Sequence, residues 1–591
     1  MIDFDLVLKE IGYFGRYQLF LICAALWSMV PIACNLSGVV FLAYQAEHRC
    51  SVQGLDQIIE ESNTSNQLKQ LFIPKIDNSY SKCERFVYEF NGGQSNESFT
   101  ERIKCSNRTK ECLNATISAI TNATKTADDC NGHYYYDRSV FKETITTEWN
   151  LVCQRESLSS LSTAIFCLGM LLGSVVGGNI ADRYGRIRTM AVATALNAIV
   201  ASCCSLSPNF LSFIIMRFIV GGSSIATLVA MSVYTVEIVG APYRAMVGLQ
   251  LGVWSGFGYM TLSILGYFFR HWRTLELSLG LLFLPFLFIA PFMPESPRLL
   301  FTQGKVDCAK EVCRKMAKRN GRTLNENVWE RAEIDDCEKK HEDFSPLMLC
   351  MKPRMVLLLV VMTFQWFINS LVFFCLSFNV GSWAGNPFLN NALSGLVESI
   401  ACILVVPFIH KFGRAKTVVI ALVISGSLLI INEVLKFAFK DSTGIGTAEV
   451  VILLIAKFTI SGSFNMLFLY TAELYPTHIR NTALGVTSAG ARMASIIAPF
   501  LLQTQSKVPW ILPVVLGLVC FLSAVMASRC PETNGMSMLC TMADAQHFYK
   551  MHRKMSKEYK LALNNNNKKK FVMPVDGVPK SAPLITEEIS I

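Results

Sequence analysis

Residues 157–188 read SLSSLSTAIFCLGMLLGSVVGGNIADRYGRIR. From Ser157 to Ala181 there is no Asp, Glu, Lys or Arg, and then Asp182, Arg183, Arg186 and Arg188 follow in quick succession. A helix rising 1.5 Å per residue needs about 20 apolar residues to cross roughly 30 Å of hydrocarbon. The uncharged part is long enough and the charged part cannot follow it into lipid, so the stretch predicts a membrane-spanning helix that ends at a polar face. Gly169, Gly173 and Gly177 recur every fourth residue, which puts them on one helix face and suits close packing against another helix.

Working outward, Tyr17 to Ala46, Ala245 to Phe269 and Val508 to Ser528 are equally free of charge. The 591 residues are 52% hydrophobic and 17% charged, where a soluble domain spends about 25% on charge. A soluble enzyme, a nucleic-acid binder and a disordered scaffold are excluded. The fold class is an all-α polytopic membrane protein. Twelve spans are expected at 17–45, 157–181, 189–206, 210–236, 245–269, 274–293, 355–380, 387–410, 416–438, 447–471, 482–505 and 508–528. Asp3, Asp5, Lys9, Glu10 and Arg16 precede the first run, which is too long for a signal-peptide core, so it is read as a retained helix. Residues 1–16 then form an N-terminal segment, 46–156 a long polar loop, 294–354 a charged linker between six-span halves and 529–591 a tail.

The net charge of +10 reports topology. Arg183, Arg186, Arg188, Arg244, Lys411, Arg414, Lys416 and Arg480 fall in short connections on one side, together with thirteen basic residues of the linker; Arg270, Arg273, Lys440 and Lys507 fall on the other. The basic side is expected to be cytoplasmic, so both termini are cytoplasmic and the first loop lies outside. That loop holds Cys50, Cys83, Cys105, Cys112, Cys130 and Cys153, and the sequons at Asn63, Asn96, Asn107, Asn114 and Asn122. Such density predicts a glycosylated, disulfide-bonded extracellular loop at the plasma membrane. Six cysteines allow fifteen pairings, and the sequence selects none.

A repeat is visible inside the chain. Arg217-Phe-Ile-Val-Gly-Gly-Ser223 matches Lys457-Phe-Thr-Ile-Ser-Gly-Ser463, Tyr234-Thr-Val-Glu237 with Arg244 matches Tyr470-Thr-Ala-Glu473 with Arg480, and Tyr184-Gly-Arg186 matches Phe412-Gly-Arg414. The offsets, 240, 236 and 228, keep the same order, so two related six-helix halves are expected. That organisation suits a carrier that rocks two halves about a midplane site.

Gly178-Asn-Ile-Ala-Asp182-Arg183-Tyr-Gly185-Arg186, Pro294-Glu295-Ser-Pro297-Arg298 and Glu473-Leu-Tyr-Pro476-Thr-His-Ile-Arg480 resemble the major facilitator superfamily. Thr147-Glu-Trp149-Asn-Leu-Val-Cys153, Glu47-His-Arg-Cys50 and the cysteine-rich loop narrow the resemblance to the organic cation, anion and zwitterion transporter family, including carnitine carriers, over residues 8 to 535. The resemblance implies the major facilitator fold and alternating-access transport of a small organic ion. Asp182, Arg183, Arg186, Glu237, Arg244, Arg414, Glu473 and Arg480 read as gate charges. Pairs among them, each worth about 0–1 kcal/mol, make a reversible latch at the cytoplasmic mouth.

A charge at the bilayer centre costs about 2.5–3.5 kcal/mol or more and normally faces a polar cavity, which singles out Arg217, Glu398, Lys457 and Arg492. Arg217 precedes the small-residue run Gly221-Gly-Ser-Ser224 and reads as structural. In the family, cation carriers resemble Leu396-Val397-Glu398, whereas anion carriers have an arginine where this chain has Arg492 and usually a lysine where it has Ala401. Carnitine carriers combine the two charges. The resemblance therefore implies that Glu398 holds an ammonium head and Arg492 a carboxylate, with Lys457 nearby. The other arrangement is that Glu398 is neutralised by Arg492 or Lys457 and touches no substrate. Trp366 and Phe373, seven apart and on one helix face, suit a quaternary ammonium, and Asn465 and Tyr470 offer polar contacts.

The expected activity is transport of a small organic cation or zwitterion. An organic anion exchanger and a non-transporting surface glycoprotein on a carrier scaffold are the alternatives. No catalytic set, metal-ligand spacing or phosphate-binding loop occurs, so neither an enzyme nor a bound cofactor is expected, and coupling to Na⁺ or protons stays open. From Arg298 to Arg322 basic residues predict short surface helices. Ile589-Ser-Ile591 offers a terminus for a PDZ-type sheet edge.

Overall fold

The computed structural model of the protein describes residues 4–51, 72–76, 79–89, 124–130, 132–324, 328–329, 353–439, 442 and 444–533. All five sequons, Cys105, Cys112, most of the second half of the linker and the C-terminal tail lie outside the described residues. Among the described residues ten helices are long and apolar enough to cross a membrane: Arg16–Leu42 (span 1), Cys153–Tyr184 (span 2), Arg186–Cys204 (span 3), Phe210–Glu237 (span 4), Trp272–Phe292 (span 6), Pro353–Phe378 (span 7), Pro387–Phe412 (span 8), Arg414–Ala438 (span 9), Ile445–Leu474 (span 10) and Thr482–Gln505 (span 11). Ala241–Phe268 (span 5) and the shorter Ile511–Ala527 (span 12) complete twelve. Many helices run a few residues past their uncharged cores, because helical hydrogen bonding continues into the polar boundary where Arg186, Arg414 and Glu237 sit.

Span 2 packs on span 4 along its glycine face. A Cβ at Gly169 or Gly173 would meet the backbone of Phe218 or Gly222, so no larger residue fits between these two helices. Spans 5 and 8 cross as closely, with Gly256 against Gly395 and Ser399. One core cluster gathers Met362, Trp366, Leu422, Ile460, Tyr470 and Cys520 from spans 7 to 12. Another joins the helix Phe4–Ile11 and span 1 to spans 3, 4 and 6 and to the linker helix Val306–Arg319. The basic stretch after Arg298 thus forms two helices, Pro297–Thr302 and Val306–Arg319, and the second buries Ala309, Cys313, Met316 and Ala317.

The duplicated sequences adopt duplicated structures on the face that carries the linker. Gly185 and Gly413 turn the chain between spans 2 and 3 and between spans 8 and 9 with φ of 118° and 86°, a region that favours glycine. Glu295 accepts from the N–H of Arg186 (2.8 Å) and Ile187, and Glu532 accepts from Arg414 (2.7 Å) and Ala415. Each carboxylate thereby satisfies exposed N–H groups at a helix start. The hydroxyls of Tyr234 and Tyr470 donate to the carbonyls of Pro294 and Pro531 at 3.0 and 2.7 Å. Pro531-Glu532 is thus a second copy of Pro294-Glu295.

On the opposite face, the first loop is braced by disulfides Cys50–Cys130 and Cys83–Cys153. Strand His48–Cys50 pairs antiparallel with Tyr134–Tyr136, and Glu84–Glu89 with Thr124–Asp129. The stem returning to span 2 is anchored by Glu148, which accepts from the Trp272 indole (2.6 Å) and pairs with Arg273. Trp149 packs against Phe210, Phe213 and Trp272.

Candidate functional site

Three of the charged residues singled out inside the spans stand near mid-depth of the second half, and two of them meet. At 1.5 Å per residue, Glu398 lies about 17 Å, Lys457 about 18 Å and Arg492 about 22 Å along their helices from the loop-face ends. Lys457 is fully buried; its Nζ stands 3.5 Å from Glu398 Oε2 and contacts Ser377 Oγ. The ring of Phe373 lies 3.6 Å from that ammonium and Tyr259 of span 5 lies 5.6 Å away. A buried cation is costly without a partner, and here a carboxylate, a hydroxyl and two aromatic faces surround it. The pair that forms is therefore Glu398 with Lys457.

Arg492 stays apart from it. Its side chain is half-buried, with the Cys167 thiol of span 2 beside it. Among the described residues no carboxylate forms an ion pair with it. A guanidinium carries five N–H donors in a rigid fork that matches a carboxylate.

Contacts between the halves gather toward the loop face. At the loop face, Phe388 of span 8 packs against Phe41 of span 1, Tyr267 of span 5 and Phe141 of the loop stem, with centroids 5.2–5.9 Å apart. Asn391 donates to the Tyr259 carbonyl and Ser263 Oγ at 3.0 and 2.9 Å. Ser160 of span 2 donates to the Pro499 carbonyl of span 11 at 3.0 Å. Ser399 donates to the Val253 carbonyl at 3.0 Å, and Gly252 meets Cys402 and Asn465. Nearer the linker face, Gly248 of span 5 and Gly485 of span 11 have open space where a Cβ would point. The named contacts join the halves at the loop face and inward as far as Ser399 and Gly252.

The other residues read from the sequence divide between this region and the linker face. Trp366 is buried, donates to Thr471 Oγ1 at 2.9 Å and packs on Phe464 and Phe468; Phe373 stacks on Phe464. Asn465 donates to Cys402 Sγ and the Ser461 carbonyl. Tyr470 differs from expectation: it is buried at the linker end of span 10, holding Pro531 as Tyr234 holds Pro294, away from Lys457 by more than three helical turns. Phe464 and the half-exposed Phe468 stand nearer the inter-half space than Tyr470 does.

The gate charges form inter-helix pairs, each inside one half. Arg186 pairs with Asp182 and with Glu237 (3.3 Å), and Arg414 with Glu473 (3.1 Å), whose other oxygen accepts from Thr533. Arg244 pairs with Asp5 of the N-terminal helix. Arg183 is exposed beside Tyr184, and Arg480 lies in the first turn of the helix Thr477–Lys507. Sequence reasoning missed Glu276, which lies 3.6 Å from Arg217 with no exposed surface. Its signal was an acidic residue at the very start of span 6, where a boundary charge is ordinary.

His48, Cys83 and Cys153 come together on the loop with the geometry of a metal trio. The two sulfurs are joined to each other, so they do not offer the thiolates a metal requires.

The model of the sugar (and other) transporter family matches residues 78–540. The chain is 29% identical to the organic cation transporter protein of Drosophila melanogaster over 93% of its own length and 95% of that protein's. It is 26% identical to the human organic cation/carnitine transporter 2 over 90% and 92%. Among solved structures, the inward-open xylose transporter XylE of E. coli superposes with a TM-score of 0.54 at 20% identity, covering 68% of this chain and 91% of that one. XylE bound to 6-bromo-6-deoxy-D-glucose gives 0.52 at 18% identity over 67% and 91%. The likeness in structure is one of fold. The chain belongs to the sugar (and other) transporter family, and it is a membrane carrier of major facilitator fold.

Proposed function

We propose that the chain carries a small organic zwitterion of the carnitine type, or a related organic cation, by alternating access. The observation that carries this reading is the Arg492 guanidinium, which has no carboxylate partner among the described residues, at a depth similar to that of a Glu398–Lys457 pair that is already neutral. A substrate carboxylate meets Arg492 in a charge-assisted, bidentate contact. Its ammonium group takes the place of Lys457 at Glu398, and Phe373 and Phe464 supply aromatic faces for it. The organic cation and carnitine carriers among the relatives support the substrate class.

The same geometry favours a second reading. Two cations and one carboxylate leave this centre with one positive charge, which suits an organic anion if Lys457 keeps its partner. Uptake of labelled carnitine, tetraethylammonium and an aromatic carboxylate by cells expressing the protein separates the two. Carnitine uptake at least tenfold above control, with little transport of the aromatic carboxylate, supports the zwitterion reading; the reverse order replaces it with the anion.

In this reading the protein works in the plasma membrane with both termini in the cytoplasm. The basic linker and the disulfide-braced first loop support that orientation. Asp182, Arg183, Arg186, Glu237, Arg244, Arg414, Glu473 and Arg480 set the balance between open and closed states at the linker face, and the C-terminal Ile589-Ser-Ile591 serves a PDZ-type partner.

A further inference from the structure

A second polar recess lies within the second half, near the loop face and away from the substrate centre. It is walled by Asn379 of span 7, Trp383 just beyond it, Asn432, Glu433 and Lys436 of span 9, Glu449 of span 10 and Gln505 of span 11. Leucines of spans 7, 9, 10, 11 and 12 close the remaining sides. The free space accommodates roughly two water-sized groups, too little for an organic molecule.

Its charges do not balance. Lys436 Nζ lies 2.5 Å from Glu449 and 3.7 Å from Glu433, so one ammonium serves two carboxylates and one negative charge is left over among the described lining residues. Independently, Asn432 is 2% exposed and its Oδ1 has no hydrogen-bond partner, although its Nδ2 donates to Glu433 at 3.0 Å. A buried acceptor without a donor costs about 1–3 kcal/mol. An oxygen-rich site with surplus negative charge and an orphaned carbonyl is what a hard monovalent cation requires. The buried Trp383 indole N–H also lacks a partner and borders the same space; a water on the cation satisfies it.

We propose that this recess binds one small alkali cation of sodium size, held by Asn432 Oδ1 and the carboxylates of Glu433 and Glu449, with a bridging water at Trp383. Its walls come from five spans of the same half, so the cation ties spans 7, 9, 10 and 11 together. Asn379 already donates to Gln505 at 3.3 Å along this wall, and span 11 carries Arg492 about 20 Å further along its helix.

The test is thermal unfolding of the purified full-length protein in detergent, titrated with sodium against N-methyl-D-glucamine at constant ionic strength and without organic substrate. Sodium is expected to raise the midpoint saturably by a few degrees. Asn432→Leu, which keeps the volume and removes the carbonyl, is expected to abolish the rise. Lys436→Gln is expected to lower the half-saturating sodium concentration about tenfold, because the competing ammonium is gone. That gain of affinity keeps the test decisive even if Asn432→Leu fails to fold. A recess that holds only water gives no sodium response. An absent response, or one unchanged in both Asn432→Leu and Lys436→Gln, overturns the proposal and leaves the substrate assignment untouched.

Discussion

Lys457 and Glu398 answer one another across spans 10 and 8: ammonium and carboxylate stand 3.5 Å apart, both buried, beneath the ring of Phe373. Each makes the other tolerable in a low-dielectric site, and neither is free for a ligand until the pair separates. A substrate ammonium that replaces Lys457 exchanges one cation for another at the same carboxylate, so the exchange avoids exposing a bare charge.

Removing one partner strands the other. Lys457→Met leaves the Glu398 carboxylate unpaired and is expected to destabilise the protein by about 3–5 kcal/mol. The double variant Glu398→Gln with Lys457→Met is expected to recover much of that loss. Midpoints of thermal unfolding for the two singles and the double give the coupling; additive losses would mean the two side chains do not stabilise one another.

In the proposed reading Arg492 holds the carboxylate end of the substrate. Loss of one charge-assisted contact is worth about 1.5–3 kcal/mol, so Arg492→Ala is expected to weaken uptake of a carboxylate-bearing zwitterion about 10–100-fold while sparing a simple organic cation. Glu398→Gln is expected to weaken both. Uptake of paired substrates, corrected for protein at the cell surface, measures the difference. Equal losses in Arg492→Ala would show that its role is structural.

Phe388 joins the halves at the loop face through Phe41, Tyr267 and Phe141. Phe388→Ala removes that aromatic bridge and is expected to shift the population toward loop-face opening. Spin labels at the exposed positions Leu206 and Phe437, one in each half, should report a longer mean distance in the variant. An unchanged distance distribution would assign closure to the inter-half hydrogen bonds of Asn391, Ser160 and Ser399.

In the proposed reading the linker-face charges act on the conformational equilibrium and not on the ligand. Asp182→Arg places a second cation beside Arg186 and is expected to lower maximal transport velocity several-fold with little change in the Michaelis constant. A raised Michaelis constant at normal velocity would contradict this. Glu532→Ala uncaps the start of span 9 and is expected to cost about 0.5–2 kcal/mol in thermal stability.

His48 gives the loop a pH dependence. Burial against Tyr134 and Tyr136 lowers its pKa below the ordinary 6.5, so the unfolded loop binds the proton more readily than the folded one. The neutral ring's contribution is complete above pH 6.5 and is lost as pH falls through the lower folded-state value. Limited proteolysis of the loop is expected to speed up on acidification below 6.5, and His48→Asn to remove that step.

Charge-free runs, the glycine spacing of span 2 and the three repeated motifs determine a helical membrane protein of two related halves. Each of these signals is local, because a helix long enough to cross lipid has to be written as one continuous apolar segment. The charges worth asking about were legible for the same reason: Glu398, Lys457 and Arg492 interrupt segments where charge is expensive. Glu276 escaped notice because its position at a span boundary makes charge cheap, and burial beside Arg217 became visible only in three dimensions. Pro531-Glu532 escaped because a two-residue repeat is too short to read before Tyr470 is seen holding its carbonyl. Which charges pair was also beyond the sequence. The choice of Lys457 over Arg492 as the partner of Glu398 depends on how spans 8, 10 and 11 rotate about their axes. That rotation is fixed by packing among residues far apart in the chain, such as Gly256 against Gly395 and Ser160 against Pro499. The sequence by itself determined the helices, their repeat and the presence of buried charge; the tertiary structure decided which charges neutralise each other and at which face the two halves meet.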